Sequence, residues 1–301
     1  MTQAGGFGGG RLLVVAFEGW NDAGEAATGA ARALAAKLEL VEIADIDPEL
    51  YFDYQFTRPT VALDDDGVRR ISWPGAKMLG PGGPAPDGEE VVDGPGAGAL
   101  HLLIGQEPAR SWKAFAQEIV DAALTADIDG MVFLGAMLAD APHTRPLAVF
   151  ASSENAEMRA ALGLERSEYE GPVGILSVIA DAAERVGIPT VSLWASVPHY
   201  VHNSPSPKAV LALLAKLEEL TGLTIPRGSL EGDAAAWEAG VDALAADDED
   251  MAAYIQQLEQ ARDTVDSPEA SGEAIAQEFE RYLRRRGDGQ AGGEPWRGPG
   301  A

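Results

Sequence analysis

The residues best suited to chemistry lie in one short turn near the start of the chain. Residues 17–24, with the sequence FEGWNDAG, contain two carboxylates (Glu18 and Asp22), an asparagine (Asn21), an indole and two glycines. The apolar run 12–16 precedes this turn and an alanine-rich segment follows it, so the pattern predicts a strand-to-helix turn. Open α/β sheets commonly bind ligands at such turns. The turn is therefore a candidate site for a polar ligand such as an amine or a cation.

The same turn also fits a purely structural role. Asp22 is placed to cap the helix predicted for residues 23–38, and Trp20 is placed to pack on a neighbouring element. A phosphate-binding loop is not indicated, because Gly19 and Gly24 do not have the G-x-G-x-x-G spacing and the carboxylates would oppose an anion. Ligand binding and helix capping both stay open for this turn.

A second candidate group surrounds His143, which lies in a proline-bounded loop after a predicted strand. Thr144 and Arg145 follow it directly, and a histidine beside an arginine suits acid–base chemistry on an anionic substrate. Alternatively, the imidazole of His143 shapes a turn or an interface through hydrogen bonds to the backbone. A further loop or short strand, residues 198–201, contributes His199.

Glu107 follows the strand predicted for residues 100–104, and it is either a carboxylate at the start of a helix or an ion-pair partner of Arg58. Arg58 lies just after the aromatic segment 51–56, which is either a protein interface or a segment buried under a long connection. Strands that run in parallel end at one edge of a sheet, so Glu18, Glu107 and His143 are expected to share a crevice there. We predict these three as candidate catalytic groups, and as ligand-binding residues Asn21, Asp22, Arg58, Arg145 and His199.

Composition excludes several classes of function. The chain has no cysteine, and its four histidines lack the spacing of metal ligands, so neither a metal site nor a cofactor is predicted. A net charge of −26 opposes binding to nucleic acid, and no apolar run is long enough for a membrane span. The absence of an export signal predicts a cytoplasmic protein.

The periodicity of apolar residues predicts an α/β protein built on a mostly parallel sheet. Apolar strands alternate with helical segments, beginning with a strand, a helix and a second strand over residues 40–46. The predicted organisation is a disordered lead-in (1–10), an α/β core (11–226) with a mobile loop (80–98), a helical appendage (231–286) broken near residues 267–268, and a disordered tail (287–301).

Several short motifs, in order along the chain, resemble the bacterial branch of the proteasome assembly chaperone 2 family. Besides the turn at 17–24, they are YQFTRP (54–59), GQEP (105–108), GA (135–136), PHTRP (142–146), GP (171–172), PHYV (198–201) and SPSP (204–207).

The resemblance implies a three-layer α/β/α fold similar to nucleoside phosphorylases and peptidyl-tRNA hydrolases. It also implies a homo-oligomer, expected to be a trimer, that serves as a noncatalytic scaffold or assembly factor and has proteasome subunits as partners. The alternative is an enzyme, or a binder of a small polar ligand, that uses Glu18, Asp22, Glu107 and His143 at the strand ends.

Overall fold

The computed structural model describes residues 9–38, 40–64, 66–82 and 92–265. Most of the predicted lead-in, the middle of the loop predicted at 80–98, the appendage beyond residue 265 and the predicted tail lie outside these residues.

Nine strands form within the described residues, most of them from the apolar runs of the sequence. Seven belong to one sheet, and two form a separate hairpin. The strands are β1 (Leu12–Glu18), β2 (Leu40–Ile46), β3 (Thr60–Leu63), β4 (Arg69–Ser72), β5 (Ala76–Pro81), β6 (Leu100–Gln106), β7 (Gly130–Ala139), β8 (Val149–Ser152) and β9 (Thr190–Pro198). The order in the large sheet is β2-β5-β6-β1-β7-β9-β8, and its four central strands are parallel.

Helices cover both faces of this sheet. They are α1 (Ala26–Ala35), α2 (Trp112–Thr125), α3 (Ala156–Leu162), α4 (Ile175–Arg185), α5 (Pro207–Thr221), α6 (Leu230–Ala246) and α7 (Glu249–Val265). In β1, Leu12 and Val14 contribute to the core formed with α1 and α5, whereas Leu13 and Val15 contribute to the core formed with α2 and α4. Strands buried on both faces are apolar throughout, which is why they lack alternation. The predicted α/β/α fold is confirmed.

One outer part of the sheet is antiparallel. β5 and β6 lie between β1 and β2, and β5 is antiparallel to both β2 and β6. β5 was not predicted, because its lysine, glycine and proline are typical of a loop. The prediction of an unstructured loop over 80–98 is wrong at both described ends, since Pro81 belongs to β5 and Asp93 pairs with Thr224.

The first helix begins later than predicted. A 3₁₀ turn covers Ala23–Glu25, and α1 then occupies only the middle of the predicted range 23–38. The reason is the backbone of Gly24 and Glu25, which adopts left-handed angles with φ of 59° and 48°. Gly24 also lies close to α5, because a Cβ atom there would stand 3.0 Å from Ser206 Cβ. A glycine suits this position, since it tolerates both the angle and the contact.

The appendage begins as two helices that follow the core. α6 packs on α5, and α7 packs on α6. The chain breaks between them at Asp247 and Asp248, where the Asp248 carboxylate accepts hydrogen bonds from the N–H groups of Asp250 and Met251 at 3.0 Å each. The break predicted near residues 267–268 lies outside the described residues. In the described part of the chain, no helix has both the length and the apolar character needed to cross a membrane.

Gly105 provides a test of the contact between β5 and β6. A Cβ atom at this position would lie 2.5 Å from Ala76 Cβ and 2.7 Å from the Gly75 carbonyl oxygen. We expect Gly105→Ala to lower the free energy of unfolding by ~1–3 kcal/mol, because it forces the two strands apart. The matched control is Gly98→Ala, which meets open space. Chemical denaturation measures both, and equal stabilities would contradict the packing described.

Candidate functional site

Asn21 is fully buried where the chain leaves β1, and it joins three elements. Its backbone carbonyl oxygen accepts a hydrogen bond from the backbone N–H group of Ala136 in β7 at 2.8 Å. Its side-chain Nδ2 donates to Glu107 Oε1 at 3.1 Å, just beyond the end of β6. Its Oδ1 is buried, has no hydrogen-bond partner among the described residues and lies against the backbone at Gly174. Asn21 therefore has a fixed place inside the protein.

Asp22 caps α1, as one of the two interpretations of the sequence expected. Its Oδ1 accepts from the N–H groups of Ala27 and Thr28 at 2.7 and 3.2 Å, and its Oδ2 accepts from the Thr28 hydroxyl. Burial raises the pKa of Asp22 above its ordinary value, although these hydrogen bonds and the Arg32 charge oppose the shift. The carboxylate is thus directed at the helix rather than at solvent.

Glu107 caps a helix on the opposite face of the sheet. Its Oε1 accepts from the backbone N–H of Ile175, the first residue of α4, at 2.8 Å, as well as from Asn21. Orphan N–H groups at a helix start favour a carboxylate, which also interacts well with the helix dipole. Of the two predicted roles for Glu107, the carboxylate at a helix start is the one observed.

Glu18 is the most open carboxylate of the turn. It forms an ion pair with Arg32 of α1, and its Oε2 accepts from Gln106 Nε2 at 3.1 Å. Its side chain is 40% exposed. Glu18 is therefore the one acid of this turn that remains open to solvent.

His143 lies under α6 and is only 1% exposed. The Tyr200 hydroxyl accepts from the His143 backbone N–H at 2.7 Å and lies 2.8 Å from its Nδ1, while Nε2 lies 3.0 Å from Asp242 Oδ1 of α6. This pattern fits a Tyr200 hydroxyl that donates to Nδ1 and an Nε2–H that donates to Asp242. Burial raises the pKa of Tyr200 to about 12, so the hydroxyl stays protonated at neutral pH.

The neighbours of His143 bind both C-terminal helices. Arg145 pairs in bidentate fashion with Asp263 of α7 at 2.8 and 2.9 Å, and it contacts Glu259 Oε1 at 3.3 Å. The Thr144 hydroxyl donates to the same glutamate, and Lys208 pairs with Glu238 of α6. The hydrogen bond with Arg145 lowers the pKa of Asp263. The loop that was a candidate for acid–base chemistry is thus part of the surface on which α6 and α7 pack.

His199 belongs to the same surface. Its Nδ1 lies 3.4 Å from Asp140 Oδ1 without the geometry of a hydrogen bond. Its ring packs edge-on against Tyr254 of α7, with centroids 5.4 Å apart. Tyr254 in turn donates to Asp140 at 3.1 Å.

Arg58 lies apart from these groups. It is exposed and makes no hydrogen bond or ion pair with the described residues, so the predicted pairing with Glu107 is wrong. The aromatic segment before it is buried only in part, and its role as an interface stays a prediction. Tyr51 and Phe52 are buried against Phe115, whereas Phe56 is 86% exposed.

The candidate residues fall into separate groups rather than one crevice. Glu18, Asn21, Asp22 and Glu107 bind the turn and two helix starts, while His143, Arg145 and His199 meet α6 or α7. An open groove of about 430 Å³ between Leu147 and α5 is lined by none of them. The structure describes no cluster of three His, Asp or Glu that could hold a metal ion within residues 9–38, 40–64, 66–82 and 92–265.

Sequence reasoning missed the partners of His143 and Arg145. Asp242, Glu259 and Asp263 belong to an acidic segment, and acids on amphipathic helices are expected to face solvent. The signal was the combination of a histidine and an arginine in a core loop with a strongly acidic appendage.

Comparison with known proteins gives consistent matches. A family model, described as the PAC2 family, matches residues 16–245. No curated protein matches the chain. The structure of a PAC2 family protein from Streptomyces avermitilis is 42% identical, with a TM-score of 0.71, and the alignment covers 81% of this chain and 98% of that one.

Two further structures resemble this chain. A proteasome-assembly chaperone homologue from Mycobacterium tuberculosis is 39% identical, with a TM-score of 0.68 and coverage of 81% of this chain and 99% of that one. PbaA from Pyrococcus furiosus, an archaeal homolog of proteasome-assembly chaperone, is 18% identical and has a TM-score of 0.54. The alignment covers 83% of this chain and 94% of that one, so the two proteins are similar in fold.

Asp22 offers a test of the cap on α1. We expect Asp22→Ala to lower the free energy of unfolding by ~1–2 kcal/mol, because the Ala27 and Thr28 N–H groups lose their acceptor. Asp22→Asn keeps an acceptor oxygen and is the matched control, with a smaller loss expected.

The pKa of Asp22 makes the difference in stability between the wild type and Asp22→Asn depend on pH. The folded pKa is raised, so the pH-dependent part of the contribution of Asp22 to stability is present below its ordinary value of 3.8 and is lost as the pH rises through the folded pKa, while the hydrogen bonds to α1 remain. Thermal unfolding at several pH values should therefore show the Asn variant gaining on the wild type as the pH rises through this range. A constant difference would contradict a raised pKa.

Arg145 offers a test of how α7 is held. We expect Arg145→Ala to make the amides of α7 exchange with deuterium about tenfold faster, because α7 loses its bidentate ion pair. The control is Arg166→Ala, which removes an exposed pair with Glu154 away from α7. Equal exchange in both variants would show that packing alone holds α7.

Wild-type α7 should respond to acid as well. The folded pKa of Asp263 is lowered, so its contribution is present above 3.8 and is lost as the pH falls through the folded value. On acidification, the protection of the α7 amides, measured relative to their intrinsic exchange rates, should then fall at a higher pH than that of the α5 amides.

Proposed function

Because the chain belongs to the PAC2 family, we propose that it is a noncatalytic oligomeric scaffold that assists proteasome assembly. The observation that carries this proposal is the match to the proteasome-assembly chaperone homologue, at 39% identity over 99% of that chain. The likeness extends to the whole α/β core rather than to one motif. The proposed partners are proteasome subunits and further copies of this chain, and the proposed assembly is a trimer.

The state of Asp22, Glu107 and His143 supports a scaffold over an enzyme. A catalytic acid or base must reach the proton that it moves, so it needs a free atom facing a substrate. Both oxygens of Asp22 accept hydrogen bonds from α1, and Glu107 Oε1 accepts from Ile175 and Asn21. The two ring nitrogens of His143 lie against Tyr200 and Asp242. These groups hold the fold together, which favours the scaffold over the alternative of a polar-ligand site.

Assembly of proteasome subunits tests the proposal. Purified α-type subunits from the source organism are mixed with the full chain at equal molar amounts, and native mass spectrometry follows the complexes formed. We expect the chain to bind α subunits and to increase the yield of assembled rings. Neither binding nor a change in yield would contradict the proposal.

A matched variant separates a chaperone effect from nonspecific contact. Arg145→Ala changes the docking of α7 but leaves the turn at Asn21 intact, so it reports whether the helix pair takes part in binding. Serum albumin, another acidic protein, controls for the effect of charge alone.

A further inference from the structure

The hairpin of β3 and β4 stands apart from the main sheet, and we call it the arm. It is inserted between β2 and β5, at the end where Ile46 pairs with Ala76. Ala76 also pairs with Gly105 near the end of β6, so the arm projects from the side of the sheet at which the parallel strands have their carboxyl ends. All the residues of its two strands are exposed.

One face of the arm carries three apolar side chains together with Arg69. Val61 lies opposite Ile71, and Leu63 lies two residues further on the same face, opposite Arg69. These three apolar side chains are 50%, 62% and 67% exposed, in the order Val61, Ile71 and Leu63. The other face carries small or polar groups, among them Thr60, Ala62 and Ser72. Isolated two-stranded hairpins are at best marginally stable, so this apolar face needs a covering surface.

The arm is held ready for such a contact. At its tip, the Asp64 carboxylate accepts from the Val68 N–H at 2.8 Å and from Arg70 Nε at 2.6 Å. At its base, the Trp73 ring packs against Tyr54, with centroids 5.0 Å apart. A surface ordered in advance loses less conformational entropy on binding.

The preceding segment is fixed to the core as well. Arg110 donates hydrogen bonds to the carbonyl oxygens of Glu49, Leu50 and Phe52 at 3.2–3.3 Å. The arm is thereby joined to a rigid support, and its exposure is a property of the fold.

Charge indicates which partner the arm fits. The hairpin, residues 60–72, contains two arginines and three aspartates, and Arg58 lies just before it, so this region carries almost no net charge on a chain of net charge −26. Arg70 pairs with Asp64, but Arg58 and Arg69 are exposed and make no ion pair with the described residues. A second copy of this acidic chain is attracted by such arginines and meets little repulsion from the arm.

The same chain offers a matching surface. β2 is an outer strand of the sheet, with Val41 and Ile43 exposed to 50% and 45%. Asp45 on this strand is an exposed carboxylate, whereas the exposed Glu42 is paired with Lys77 of β5 at 2.6 Å. An apolar pair near an acid complements an apolar face near arginines. Unpaired outer strands also bind further chain readily.

We propose that the apolar face of the arm, formed by Val61, Leu63 and Ile71, binds the β2 edge of a second copy of this chain. Every copy carries both surfaces, so the contact is head-to-tail and closes into a ring when the rotation permits. The proposal rests on the oligomeric scaffold proposed above and assigns the surface that builds it.

Oligomeric mass tests the proposal on the full chain. Light scattering at micromolar concentration is expected to give a multiple of 31.5 kDa for the wild type, and the monomer mass for Ile71→Asp and for Ile43→Asp. The matched control is Ala62→Asp, which places the same charge on the opposite face of the arm and is expected to keep the oligomer. Circular dichroism checks that each variant is folded.

A chain without cysteine permits a second measurement that needs no disruptive charge. Ile71→Cys and Ala62→Cys each introduce one thiol on opposite faces of the arm. We expect the thiol at position 71 to react about tenfold more slowly than the thiol at position 62, because a partner covers it. Equal rates in the oligomer would overturn the proposal.

The outcomes separate this inference from the proposed function. A monomeric wild type overturns both the oligomer and the arm contact. An oligomer that persists in Ile71→Asp and Ile43→Asp overturns the arm contact alone. An intact Ile71→Asp oligomer that no longer binds proteasome α subunits assigns the arm to those subunits and likewise overturns the contact between copies.

Discussion

The backbone turn at Asn21 and Asp22 fixes how the layers of this protein meet. The backbone carbonyl of Asn21 accepts a hydrogen bond from β7, and its side-chain amide donates one to Glu107. Asp22 binds the start of α1. Glu107 binds the start of α4 on the other face of the sheet. Asn21, Asp22 and Glu107 therefore join the ends of β1 and β6 to β7 and to the first turns of a helix in each outer layer. Most buried polar groups need a hydrogen-bond partner, so the bonds made by Asn21 Nδ2, Asp22 and Glu107 leave this arrangement few alternatives.

The acidic C-terminal helices illustrate how opposite charges are used within a chain of net charge −26. Arg145 and Lys208 on the core face Asp263, Glu259 and Glu238 on the helix pair. Exposed ion pairs add little stability singly, but a set of them defines orientation. These ion pairs define one position for α6 and α7 on the core, and the ring contact between Tyr254 and His199 adds packing at that position.

Sequence reasoning predicted the layers of the fold better than its edges. Leu12 to Phe17 is apolar at every position, which indicates a strand covered on both faces, and the structure agrees. β5 was missed because Lys77 and Gly80 are poor strand formers, and only pairing with β2 and β6 makes this segment a strand. The left-handed angle at Glu25 was equally hidden, because a glutamate rarely adopts it.

The candidate site shows the same limit. Asp22 was interpreted as a helix cap or a ligand group, and Glu107 as a helix-start carboxylate or an ion-pair partner, so the capping roles were within reach. The docking role of Arg145 was not, because its partners lie more than 100 residues further along the chain. Side-chain type and spacing describe what a residue can do, whereas the distant partner decides what it does.

The bonds of the Asn21 turn also impose an order on synthesis. Asn21 and Glu107 are separated by 86 residues, and Glu107 and Ile175 by a further 68. At ~5–20 residues per second, ribosomes need on the order of ten seconds to make the intervening chain. Throughout that time β1 has emerged while its last anchoring partner does not yet exist. The nascent chain must keep its most apolar strand from unwanted contacts until residue 175 appears, so the stage most exposed to aggregation comes before release from the ribosome.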